Sequence, residues 1–126
     1  MRYFERTYYP MPAPSSWRDG KYISDIRESA LLILQYTDSV TRDDFSTSLQ
    51  LQDAVIRRFQ IIGEAARRVS QETKSRYAEI RWSDIVGMRH RLVHDYIEVD
   101  LDIVWNAVRV EVPRLLLELD RITPPD

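Results

Sequence analysis

The sequence predicts an all-α protein, an antiparallel bundle of four main helices with short helices between them. Apolar residues recur at three- and four-residue steps over most of the chain, which is the period of a helix with one buried face. No segment shows the two-residue alternation typical of a half-buried strand. The connections between helical segments are short, and short connections place successive helices antiparallel.

The N-terminal residues differ from this pattern. Pro10, Pro12 and Pro14 alternate, which blocks a helix and favours an extended conformation. A chain of 126 residues corresponds to one domain. We therefore expect an extended N-terminal arm over residues 1–16 and a helical bundle domain over residues 17–126.

The first half of the bundle contains two main helices. The first is predicted from Trp17 to about Val40, and a capping-box pattern from Thr41 to Asp44 then predicts a short turn of helix. The second is predicted over residues 49–70. Their apolar stripes are formed by Ile23, Ile26, Ala30, Ile33 and Leu34, and by Leu51, Val55, Phe59, Ile62, Ala66 and Val69.

Two features of the second main helix need an interpretation. Gly63 in its interior costs up to about 1 kcal/mol relative to Ala, so we interpret it as a close approach to a neighbouring helix. Four arginines on this helix are interpreted as a solvated face near Glu64 rather than as an RNA-binding stripe. They are Arg57, Arg58, Arg67 and Arg68.

The second half begins with a short helix, which Ser70 is predicted to cap and which runs to about Tyr77. Ser83 is the candidate N-cap of the next main helix, and the last helix begins at Asp100. Pro113 removes a backbone donor from the last helix and predicts a kink there. The apolar positions of these two main helices are Ile85, Met88, Leu92 and Val93, and Val104, Val108, Val112, Leu115, Leu119 and Ile122.

Composition excludes several functional classes. The net charge of -2 excludes a basic protein that coats a nucleic-acid duplex. Of the 18 cationic residues, 16 are arginine, and only Lys21 and Lys74 are lysine. The absence of cysteine excludes disulfides, zinc–thiolate sites and a thiol nucleophile. The three glycines cannot form a glycine-rich phosphate loop. With no apolar segment of membrane-spanning length and no signal-peptide pattern, we expect a cytoplasmic protein that does not enter a membrane.

Both histidines, His90 and His94, lie in one cationic segment of the chain. Three interpretations remain open. The pair could bind a metal, since an i, i+4 spacing places both on one helix face, with carboxylates completing the site. They could be surface residues without a chemical role. They could serve a metal-free phosphodiester site, where histidine moves protons and Arg89 holds the phosphate.

The spacing of Arg89 and His94 adds little by itself. Five residues correspond to roughly 7.5 Å along a helix axis and about 140° around it, so the two side chains do not share one stripe. They could meet at a phosphate only in a groove flanked by both, or with the same pair of a second chain opposite. The choice between the three interpretations therefore needs more than spacing.

The motif Arg89-x-x-x-x-His94-x-Tyr96 resembles the R-x4-H-x-Y signature of HEPN-domain proteins, in particular the HepT-like toxins. Flanking segments also resemble segments of this family and occur in the family's order along the chain. The resemblance covers about residues 18–120. These segments begin at Gln52, Ile61, Ile85, Leu92 and Val99.

The resemblance implies a homodimer in which the motifs of two chains line one cleft, and a metal-independent ribonuclease that needs no cofactor. Arg89 would be the phosphate clamp and His94 the general base or acid. Tyr96 would be an RNA contact or the tyrosine to which a minimal nucleotidyltransferase antitoxin transfers AMP. Arg91 would be a further substrate contact. His90, at a position where the family often has a small polar residue, would be a substrate contact or a neutral substitution.

Two other classes of function stay open. The chain could be a non-catalytic helical dimer that binds a nucleotide or a partner protein through the same motif. It could also be a structural bundle without such affinity. Incubation with RNA separates the enzyme from both.

Overall fold

The computed structural model describes residues 14–92 and 100–122, apart from the side chains of residues 14–16 and of Arg89. Within these ranges the chain forms seven α-helices and one π-helical turn, and it contains no strand. The predicted all-α class is confirmed. None of the helices in the described ranges is long and apolar enough to cross a membrane.

Four main helices carry the fold. The last of them is a continuous helix made of α6, the π turn and α7, and we call it the final helix. The elements are α1 (Pro14–Tyr36), α2 (Arg42–Thr47), α3 (Leu49–Arg68), α4 (Gln71–Arg76), α5 (Trp82–Leu92), α6 (Leu101–Asn106), the π turn (Ala107–Glu111) and α7 (Val112–Leu119).

Long-range contacts show that neighbouring main helices run antiparallel. Asp19, near the start of α1, contacts Ser70, which follows the end of α3. Arg81, just before α5, lies 3.8 Å from Glu118 near the end of α7. Arg91, near the end of α5, contacts the π turn in the middle of the final helix. The start of α5 is therefore beside the end of the final helix.

The core lies where the predicted apolar stripes meet. Helix α3 packs against α1 and α5, and α1 packs against α7. The stripe of α3 is buried from Val55 onwards, and all six stripe residues of the final segment, from Val104 to Ile122, are buried. Leu51, at the start of α3, is only partly buried. The helical periodicity thus predicted the core-facing side of both helices correctly.

The boundaries of α1 differ from the prediction. The helix begins at Pro14 rather than at Trp17, because proline is tolerated in the first helical turn, where its missing N–H has no partner to lose. It ends at Tyr36 rather than near Val40, because the chain turns and Ser39 adopts a left-handed φ of 62°. The first 13 residues of the predicted arm lie outside the described residues.

Local capping signals gave mixed results. The capping box between Thr41 and Asp44 and the cap at Ser70 are confirmed. Asp100, the predicted start of the last helix, is its N-cap. Ser83 is not an N-cap, because α5 already begins at Trp82. The Trp82 side chain is buried and its indole N–H donates to the carbonyl of Tyr77 at 3.1 Å, and the helix starts two residues before the position that a cap at Ser83 would give.

The interruption predicted at Pro113 takes the form of the π turn. Proline has no N–H to donate to the carbonyl four residues earlier, and its ring crowds that carbonyl. The preceding residues adopt the wider turn, and the N–H of Val112 donates to the carbonyl of Ala107, five residues back. The helix therefore continues through the proline with one altered turn.

A buried carboxylate joins α1 to α4. Asp19 is 3% exposed and accepts three hydrogen bonds: from the Ser70 N–H at 2.9 Å, from the Ser70 hydroxyl at 2.5 Å and from the Thr73 hydroxyl at 2.5 Å. The Ser70 hydroxyl also accepts from the Thr73 N–H, capping α4. Asp19 thus fixes the start of α4 against α1.

We predict that Asp19→Ala lowers the free energy of unfolding by about 2–3 kcal/mol, because it leaves one buried and two partly buried donors without an acceptor. Urea denaturation of the two proteins measures this loss. The matched control is Asp25→Ala, which removes an exposed carboxylate 3.9 Å from Lys21 and should cost less than about 0.5 kcal/mol. Equal costs for the two variants would contradict the role of Asp19.

Candidate active site

Helix α5 carries the start of the segment that the sequence singled out. Its apolar residues Ile85, Met88 and Leu92 are buried in the core. Between them, His90 and Arg91 are exposed. The core packing of α5 therefore presents this part of the segment on the surface of the bundle.

The rest of the predicted site lies outside the described part of the chain. This applies to the side chain of Arg89 and to the whole of His94 and Tyr96. The structure therefore places the backbone of Arg89 on the last turns of α5, and the convergence of Arg89 with His94 stays a prediction.

Arg91 makes a bidentate ion pair with Glu111. One guanidinium nitrogen lies 3.1 Å from one carboxylate oxygen, and a second lies 3.4 Å from the other. The first nitrogen also donates to the backbone carbonyl of Asp84, 3.3 Å away. A substrate phosphate would have to share or displace the carboxylate of Glu111, so the predicted substrate contact of Arg91 competes with a structural one.

Sequence reasoning missed Glu111. This residue lies on the π turn, and its side chain is only 16% exposed. Pro113 signalled that the helix would be interrupted here, but nothing in the local sequence indicated that the interruption faces the end of α5. The pair ties α5 to the final helix two residues after Arg89.

A cleft of about 750 Å³ lies beside the first turns of α5. We call it the α4–α5 cleft, since its lining comes from α4, the connection that follows and the start of α5. The residues that matter most for its chemistry are Lys74, Ser75, Arg81, Ser83, Asp84 and Gly87. Sequence reasoning did not predict this cleft, because its two walls are separated in the chain by a turn without a motif.

The interpretation of the two histidines as a metal site stays a hypothesis. In the described ranges no group of three or more His, Cys, Asp or Glu side chains could hold a metal ion. His94 lies outside those ranges. The described carboxylates therefore add no support to the hypothesis that the histidines bind a metal ion.

The two arginines near the end of α3 are paired with Glu64. This agrees with the interpretation of these residues as a solvated face near that glutamate. Arg67 and Arg68 donate to the carboxylate of Glu64 at 2.7 and 2.9 Å. The hydrogen bonds from Arg67 and then from Arg68 lower the pKa of Glu64 to about 2. These two arginines are engaged with an acid on their own helix.

The chain is similar to a known protein family and to several known proteins. Residues 26–122 match the family model described as "Ribonuclease HepT-like". A protein of Methanocaldococcus jannaschii named "Gamma-glutamylcyclotransferase and putative RNase MJ0434" is 44% identical over 101 residues, which are 80% of this chain and 46% of that protein. The chain thus spans about half of that relative. No solved structure matches the chain.

Two shorter relatives align over nearly their whole length. The "Putative RNase MJ1380" of Methanocaldococcus jannaschii is 32% identical over 106 residues, which are 83% of this chain and 97% of the relative. The "Probable ribonuclease HepT" of Thermococcus cleftensis is 34% identical over 101 residues, 80% of this chain and 92% of the relative.

We predict a coupling free energy of about 1 kcal/mol between Arg91 and Glu111, because the pair is bidentate and Glu111 is mostly shielded from water. A double-mutant cycle of Arg91→Ala and Glu111→Ala, followed by urea denaturation, measures it. The same cycle on the exposed pair Lys21–Asp25 is the control and should give about 0.3 kcal/mol or less. A coupling no larger than the control would show that the pair does not hold α5.

We also predict that Glu64 stays ionised well below the usual range of a glutamate. Because its pKa is lower in the folded protein than the ordinary 4.5, its stabilising effect is present above pH 4.5 and is lost as the pH falls towards 2. An NMR titration of the side-chain carboxyl measures the midpoint. In the Arg67→Ala/Arg68→Ala variant the midpoint should rise towards 4.5, and a wild-type midpoint already there would refute the pairing.

Proposed function

Because the chain belongs to the HepT-like ribonuclease family, we propose that it is an endoribonuclease that cleaves RNA phosphodiester bonds without a metal ion. The observation that carries the proposal is the family match over residues 26–122, which includes the whole of the Arg89–Tyr96 motif. The exposure of the neighbouring His90 and Arg91 on α5 supports it, since an RNA strand can reach this surface.

The chemistry uses the nucleophile that RNA supplies. In our proposal His94 acts as general base and removes the proton of the 2′-hydroxyl, and the 2′-oxygen attacks phosphorus. The bond between phosphorus and the 5′-oxygen breaks, and the 5′-oxygen takes a proton from water. Arg89 binds the phosphate through paired N–H donors and stabilises the charge of the phosphorane. The products are a 2′,3′-cyclic phosphate and a 5′-hydroxyl.

The active unit in this proposal is a homodimer, in which two chains bring their motifs to one cleft. A shared cleft explains how a protein with a net charge of -2 can bind RNA, because two sets of cations converge without a basic surface elsewhere. Sedimentation as a monomer at micromolar concentration would contradict this arrangement.

Regulation by a minimal nucleotidyltransferase antitoxin is part of the same proposal. Transfer of AMP to Tyr96 would add a phosphate charge and bulk next to the cleft, and both oppose RNA binding. Co-expression with such a partner should give a protein that carries an adenylyl group on Tyr96, whereas Tyr96→Phe should stay unmodified.

We predict that Arg89→Ala and His94→Ala each lower RNA cleavage about 100-fold or more with EDTA present, because each removes a group that acts in the transition state. Cleavage of an end-labelled single-stranded RNA measures the rates, and circular dichroism checks that the fold persists. Arg114→Ala is the matched control, since this exposed arginine of α7 lies outside the motif.

The outcomes separate the classes of function. Retained cleavage in both motif variants would sink the catalytic assignment. Loss of wild-type cleavage on adding EDTA would point to the metal interpretation of the histidines. Absence of cleavage together with affinity for a nucleotide or a partner protein would favour the non-catalytic dimer.

A further inference from the structure

We propose that the α4–α5 cleft is an RNA subsite that holds one or two nucleotides next to the scissile phosphate, with Lys74 as a phosphate contact. The inference rests on the proposed ribonuclease function and names a binding site for its substrate outside the Arg89–Tyr96 motif. Four features of the cleft support it: its position on α5, its charge, its open floor and its size.

The cleft lies on the face of α5 that also carries His90. Val86 and Gly87 line it, and His90 follows them by four and three residues, so all three share one face of the helix. Gly87 and His90 are separated by roughly 4.5 Å along the axis. A strand in contact with His90 therefore needs to extend by only about one nucleotide to enter the cleft.

The charge of the cleft favours a phosphate. Lys74 and Arg81 line it together with one acid, Asp84. Lys74 is partly buried and makes no ion pair within the described ranges, while Arg81 has only a 3.8 Å contact with Glu118. A cation that no acid neutralises is available for a ligand anion.

A smaller cleft has equal numbers of acids and cations in its lining. It lies between α1 and α3, has a volume of about 290 Å³, and contains two acids, Asp25 and Glu64, beside its arginines Arg57 and Arg68. Arg68 is engaged with Glu64. The comparison favours the α4–α5 cleft as the anion site.

The floor of the cleft is open at Gly87. A Cβ atom built on this residue meets no heavy atom of the described chain within 4 Å. A ligand can therefore approach the backbone of α5 here, while the hydroxyls of Ser75 and Ser83 supply hydrogen-bonding groups for a base or a ribose. A volume of about 750 Å³ lies in the range of small-ligand sites and is large enough for a nucleotide.

The first test measures the affinity of the full chain for a short single-stranded 2′-O-methyl RNA, which cannot be cleaved through its 2′-oxygen, by fluorescence anisotropy. Lys74→Ala should weaken binding about threefold and reduce the slope of log affinity against log salt by about 0.7, the effect of one lost phosphate contact. Lys21→Ala is the matched control, because it removes the other lysine of the chain, which lies on α1 beside Asp25.

A second pair of variants tests whether the ligand needs the open space at Gly87. Gly87→Leu should fill the floor of the cleft and weaken binding, whereas Gly87→Ala should leave it unchanged, since its Cβ meets no neighbour. With cleavable RNA, Lys74→Ala should raise KM and leave kcat nearly unchanged, because the contact is made equally in the ground state and the transition state.

A cross-link identifies the contact directly. An RNA with a periodate-oxidised 3′ end carries aldehydes that form an imine with a lysine, and borohydride reduces it to a stable amine. Because the chain has only two lysines, peptide mapping gives a simple answer. We expect the RNA on Lys74 and not on Lys21.

The outcomes distinguish this inference from the proposed function. If the wild type cleaves RNA but Lys74→Ala and Gly87→Leu bind it as well as their controls, the subsite is wrong and the ribonuclease stands. If RNA binding depends on Lys74 but the wild type cleaves nothing, the ribonuclease is wrong, and only the RNA-binding role of the cleft stands, without a scissile phosphate beside it. Loss of nucleotidyltransferase binding in Lys74→Ala, with RNA affinity unchanged, would make the cleft a protein-docking surface and overturn the inference.

Discussion

The burial of one face of α5 in the core is the constraint on which the rest of the structure depends. Ile85, Met88 and Leu92 are nearly inaccessible to water, and burying each such side chain is worth about 1.5–3 kcal/mol. Because these residues follow a helical period, His90 and Arg91 between them must face outward. The same packing that stabilises the bundle therefore sets the direction in which the motif helix presents its polar side chains.

Polar contacts then fix the surroundings of this helix. At its start, the indole of Trp82 is buried and donates to a backbone carbonyl, and at its end the bidentate pair of Arg91 and Glu111 ties it to the final helix. On the other side of the α4–α5 cleft, the Asp19 carboxylate secures the first turn of α4. Both walls of the cleft are thus anchored to different main helices, which favours a preformed binding surface over one assembled by the ligand.

The helices were predictable because their signals are local. The apolar stripes of α3 and the final helix, and the caps at Thr41, Ser70 and Asp100, depend on residues at most a few turns apart. The candidate catalytic residues came from a motif that the sequence displays in full. Glu111 and the cleft could not be predicted, since each joins segments that the chain keeps apart until tertiary packing brings them together. The false cap at Ser83 has the same cause, because the burial of Trp82 overrides the local preference.

The π turn sets the rotational register of the final helix. Deleting one residue between Ala107 and Glu111 would restore ordinary α-helical hydrogen bonding there, except at Pro113, so the backbone could accept the loss. The core would accept it as well, because the hydrogen-bonded π turn contains one residue more than an α-helical turn, and removing that residue leaves Leu115 and Leu119 directed at the interior. The π turn therefore absorbs one additional residue without changing the face that the final helix presents to the core, and a chain one residue shorter at this point should keep the same packing.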